Sequence, residues 1–153
     1  MTLQEYVVAA TKQSMDEAFR YIKAVPPGKL DWKPLEIGQS VLSMARELAK
    51  CPDWAYGILS GEDLSESAGD WQDWKTVEDC EANLAPKLER FCAFVAAFPA
   101  ERLHEMKELP FGPGGSLKTF PMWELLDYPR WNASYHQGQI AYIQTLYGDK
   151  ELH

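Results

Sequence analysis

The sequence predicts an all-α protein, a four-helix bundle forming a single domain over residues 1–153. Three observations carry this. Four segments repeat apolar residues at spacings of three and four, the period of a helix with one buried face. Each runs for several turns and is bounded by proline, glycine or acidic, serine-rich sequence. The chain has 153 residues, 46% of them hydrophobic, which suits one packed core.

The first helix is expected from about Thr2 to Ala24. Val8, Met15, Phe19 and Ile22 share a face, flanked by Val7 and Ala18. "VPPGKLDWKP" ends it, because proline lacks an amide donor and fixes φ. The second runs from about Ser40 to Leu59, with Ser40 as N-cap and Val41, Met44, Leu48, Cys51, Ala55 and Ile58 as its stripe. Pro52 predicts a kink. An acidic, serine-rich connection, "GEDLSESAGDWQDWK", follows at 61–75. The third helix starts near Thr76, where Thr76 and Asp79 resemble a capping box. Its stripe runs Val77, Cys80, Leu84, Leu88, Phe91, Val95 and Phe98, with a second kink expected at Pro86. "MKELPFGPGGSLKTF" offers two β-capable arms around "GPGG", the pattern of a small hairpin between helices three and four. The fourth helix is expected from Met122 to Tyr147, with Gly148 as C-cap and Pro129 as a bend or second start.

Composition removes several function classes. A net charge of −8 with no basic patch argues against nucleic acid and against an anionic membrane surface. No apolar run reaches membrane-spanning length, and the first residues lack the basic and apolar regions of a signal peptide, so a cytoplasmic location is expected. Cys51, Cys80 and Cys92 form no CxxC pair, and free, mostly buried thiols are expected.

The chemistry gathers on the last helix. Its core stripe runs Leu126, Ala133, His136, Ile140, Ile143 and Tyr147, so a histidine faces the interior. Asn132 lies one turn earlier on the same side, flanked with His136 by Tyr135 and Gln139. On the second helix Glu47 falls between Met44 and Cys51 and borders the buried face. A carboxylate there needs a partner, and across the bundle that partner is His136. A hydrogen-bonded core histidine and a functional site both fit this spacing.

"LDWKPLEIGQSVLSMARELAK" and "WNASYHQGQIAYIQTLYG" resemble two signatures of the DinB/YfiT-like family of four-helix bundles. These are a Trp-Lys-Pro followed by Ser-Val at the second helix, and a His-x-Gly-Gln on the last. The resemblance extends in helix count and order over nearly the whole chain. It implies a divalent metal inside the bundle, held in the family by three histidines. Those positions fall on Glu47, Asn132 and His136, so one histidine of three is present. A Glu–Asn–His set implies zinc, nickel or manganese as the ion. Without an ion, Glu47 and His136 form a buried pair bridged to Asn132. Two function classes therefore stay open. One is a metal-dependent hydrolase or thiol-dependent transferase acting on a small molecule in the core, with His136 and Glu47 catalytic. The other is a noncatalytic relative that binds a small molecule or dimerises; the resemblance implies a homodimer.

Two further signals stand apart. "HEMKE" at His104–Glu108 nearly matches a zinc-protease motif, but Pro110 follows at once, and a solvated loop is expected. Trp71 and Trp74 in the acidic connection form either an apolar lip over a pocket or plain loop packing. The acids around them, Glu62, Asp63, Glu66, Asp70 and Asp73, read as a solvated face.

Overall fold

The computed structural model describes residues 1–64, 71–112 and 114–153. It is mostly helical, with four long helices and one small hairpin. The helices are α1 (Leu3–Ala24), α2 (Val41–Ser60), α3 (Val77–Ala96) and α4 (Met122–Leu146). Caps fix where the first three begin. Thr2 and Glu5 make a reciprocal capping box at α1, and Thr76 and Asp79 make another at α3. The Ser40 hydroxyl accepts from the Ser43 amide at 3.2 Å and starts α2. Each cap satisfies amides that a helix start leaves without partners.

Pro52, Pro86 and Pro129 all lie inside continuous helices, so Pro129 marks no second start. Pro52 and Pro129 are among the most deeply buried side chains, and their packing offsets the hydrogen bond each removes. At the end of α4 the cap is Tyr147, and Gly148 follows it at φ 99°, the left-handed residue that stops the helix.

Strands β1 (Met106–Phe111) and β2 (Ser116–Pro121) pair antiparallel, Met106 opposite Pro121 and Phe111 opposite Ser116. The hairpin is where the sequence put it. Part of "HEMKE" accordingly belongs to β1 instead of a loop, with His104 exposed just before it.

Two apolar clusters make up the core. One gathers Met15 to Val25 of the first helix region, Val41 to Ala49 of α2, Val77 to Leu84 of α3 and Ala133 to Ile143 of α4. The other gathers Val7, Ala55, Leu59, Phe91, Val95, Leu125, Leu126 and Leu109 of the hairpin. Cluster membership gives the helix directions. α1 and α4 run from the second cluster to the first, while α2 and α3 run from the first to the second. α4 packs beside α1 and α2, and α3 beside α2 and α1. No helix among the described residues is long and apolar enough to cross a membrane.

Between the clusters each helix contributes buried polar groups. Thr11 comes from α1, Asp53 from α2, Lys87 from α3 and Asn132 from α4, none more than 7% exposed. This polar layer positions the site.

Candidate functional site

The site is built on one face of α2. Glu47, Lys50, Trp54 and Ile58 follow each other at spacings of three and four, so they line one side of that helix. They form one wall of a cavity of about 550 Å³. Tyr128 and Asn132, one turn apart on α4, form the second wall, and Lys87 of α3 the third. Leu64 and Trp71 close the end left by the connection after α2. Gly57 lets that connection approach: a Cβ there would stand 3.2 Å from the Glu62 carbonyl oxygen.

Glu47 and His136 meet as the spacing required. His136 Nε2 lies 3.0 Å from Glu47 Oε1. His136 Nδ1 lies 2.7 Å from Gln139 Oε1 on the same helix. Both ring nitrogens thus face oxygens. An imidazolium donates to both; a neutral ring keeps both contacts if the Gln139 amide turns to donate its NH₂. Gln39 reaches the other Glu47 oxygen at 3.5 Å.

The two partners differ in access. The His136 side chain is 4% exposed and that of Glu47 42%. Glu47 and Asn132 line the cavity, while His136 stands behind Glu47 and does not. The hydrogen bond from His136 is the main reason the Glu47 carboxyl sits below the ordinary carboxylate range; burial opposes it.

Asn132 is turned toward Cys51 as well as the cavity. Burial pushes the Cys51 thiol up to about 12, and a hydrogen bond with Asn132 offsets part of that. Cys80 is raised to about 11 by burial, and Cys92 is raised by the same cause. All three cysteines are free and buried, so all three thiols stay protonated at neutral pH.

Three charged residues of this site escaped the sequence reading. Asp53, 7% exposed, accepts from Arg90 at 2.5 Å through one oxygen, while its other oxygen is buried without a hydrogen-bond partner among the described residues. Lys87, also 7% exposed, donates to the Asn83 carbonyl at 3.1 Å and lies 5.0 Å from the Trp74 ring centroid. Lys50 stands 3.6 Å from the Trp71 ring centroid. Burial lowers the pKa of both lysines; Glu47 opposes this at Lys50 and Asp53 at Lys87. A signal for Lys87 was present. It lies three residues after Leu84 and four before Phe91, the same arithmetic that singled out Glu47.

The tryptophans divide the two roles foreseen for them. Trp71 lines the cavity as a lip, whereas Trp74 packs into the core. Glu62 is exposed and accepts from the Tyr56 hydroxyl at 2.8 Å. Glu66 and Asp70 lie outside the described residues.

A metal can be weighed against these donors. Glu47 and His136 supply one carboxylate and one imidazole, and Asn132 adds a weakly ligating amide. Among the described residues no group of three or more His, Cys, Asp or Glu side chains converges on one point. Catalytic zinc sites ordinarily hold the ion with three strong protein ligands. The donor set is one short, and it does not fit a resident ion. No family model and no curated protein matches this chain.

Proposed function

We propose that this protein is a divergent DinB/YfiT-like bundle that binds a small organic molecule in the cavity between α2, α3 and α4, without a resident metal. The observation that carries this reading is the cavity itself: about 550 Å³, walled by Trp54, Ile58, Leu64, Trp71 and Tyr128, with Glu47 presented from one side. A largely apolar cleft with a few convergent polar groups is the usual form of a ligand site.

The electrostatics favour binding over catalysis. A general base works best with a pKa near the working pH. Glu47 is displaced the other way, below the ordinary carboxylate range, so it stays an ionised acceptor. It is suited to hold an O–H or N–H of the ligand. His136 fixes the carboxylate's orientation from behind and is a positioning residue. With all three thiols kept protonated, no cysteine supplies a nucleophile.

The test is elemental mass spectrometry on protein purified without chelators, before and after incubation with zinc, nickel and manganese. It is paired with native mass spectrometry for co-purifying small molecules. Little metal in either sample, with a small organic molecule retained and lost in Trp54→Ala, is the expected outcome. Near-stoichiometric metal that disappears in a Glu47→Ala/His136→Ala variant would overturn the reading in favour of a metalloenzyme.

A further inference from the structure

Lys50 and Lys87 enter the cavity from facing helices, and neither has an ordinary salt-bridge partner. No carboxylate lies within ion-pair distance of either ammonium among the described residues. An ammonium carries three N–H donors. Lys87 places one on the Asn83 carbonyl and otherwise faces the Trp74 ring, although its residue is 7% exposed. Lys50 meets the Trp71 ring and has no hydrogen-bond acceptor among the described residues. For Lys87, burial with spare donors is costly unless an anion completes it, and the half-buried Lys50 lines the same cavity. The nearest carboxylates stand beyond ion-pair distance: Asp53 holds Arg90 through one oxygen and leaves the other without a hydrogen-bond partner among the described residues, and Glu47 is hydrogen-bonded to His136.

We propose that the ligand is an organic carboxylate with a compact apolar body. Its carboxylate sits between Lys50 and Lys87, and its body lies against Trp54, Ile58, Leu64 and Tyr128. This inference rests on the cavity being a ligand site and adds the ligand's charge. It runs against the long-range field of a chain with net charge −8, which repels anions. Selection of an anion must therefore come from these two local ammonium groups, and removing either one removes it. Charge complementarity and the apolar walls act on different parts of the ligand, so they can be separated by experiment.

The experiment is isothermal titration calorimetry on the full chain with nine compounds. Phenyl, indolyl and cyclohexyl bodies are each presented as the propanoate, the propanamide and the propylamine. At least one body is expected to bind as the carboxylate tenfold or more tighter than as its amide, with the amine weakest. Lys50→Gln and Lys87→Met are each expected to cut that preference below threefold, while Lys12→Gln on exposed α1 surface leaves it intact. Methionine keeps most of the length of the buried Lys87 side chain, and Lys50→Gln, at a half-buried position, serves where Lys87→Met does not fold. Equal binding of carboxylate and amide, or tightest binding of the amine, overturns the anion inference and leaves the cavity reading standing. An unchanged preference in the folded lysine variants also overturns it. No binding by any of the nine overturns the carboxylate inference, while the cavity reading is decided separately by whether native mass spectrometry finds a retained small molecule.

Discussion

At the scale of single residues, Glu47 and His136 are separated by 89 positions in the chain yet hydrogen-bonded at 3.0 Å. Periodicity made the pair legible, because both residues interrupt apolar stripes that must face one another. It could not reveal that His136 would stand behind Glu47, since depth within a bundle depends on helix rotation and neighbours. Asp53 and Lys50 were illegible for a related reason, whereas Lys87 stood at the stripe spacing of α3. Charged side chains at the edge of a stripe look the same whether water or a cavity lies beyond them. The pair has a consequence for acid stability. Glu47 is held below its ordinary pKa, so its contribution is fully present above the ordinary value and is lost as pH falls through the lowered one. Because the Glu47 side chain is 42% exposed, solvent screens the pair and the effect is about 0.5–1 kcal/mol. In urea titrations from pH 7 to pH 3, Glu47→Gln is expected to lose stability less steeply than the parent. Parallel curves would show that the carboxylate contributes no acid-linked stability.

At the scale of elements, helix starts were readable almost to the residue. Ser40 and the Thr76–Asp79 box are local devices whose chemistry needs no tertiary context. The hairpin was readable because Gly112, Gly114 and Gly115 all take positive φ, which glycine adopts without the Cβ clash. The prolines were legible only in part. Their cost is local and visible in sequence, whereas the packing that offsets it is not. Pro52 and Pro129 have that compensation, but Pro86 is exposed on α3. Pro86→Ala should therefore restore a helical hydrogen bond without opening a cavity. It is expected to stabilise the protein by about 1–3 kcal/mol, the helix-propensity gain less the entropy returned to the unfolded chain. Chemical denaturation measures this directly, and a variant less stable than the parent would show that Pro86 has a packing role hidden by its exposure.

At the scale of the whole molecule, helix number and order were legible but helix direction was not. Connections as long as those after α1, α2 and α3 allow a following helix to run either way, and only the clusters reveal which way each runs. All four helices enter both clusters, so neither cluster can dissolve while the helices stay packed. Unfolding is accordingly expected as one transition, with tryptophan fluorescence and far-ultraviolet circular dichroism superimposing in urea. Two separated midpoints would show that the polar layer divides the molecule into independently melting halves.

That layer also fixes how the helices are set against one another. Apolar ridges are forgiving: a leucine that slides one turn, about 5.4 Å, meets another leucine. Lys87, Asp53 and Asn132 allow no such slip. Moving α3 by a turn would drive an ammonium among apolar side chains and take Arg90 from Asp53. Moving α4 would part His136 from Glu47. The polar groups cost stability, yet they act as an index mark that admits one alignment of the four helices, and that alignment is the one in which the cavity exists.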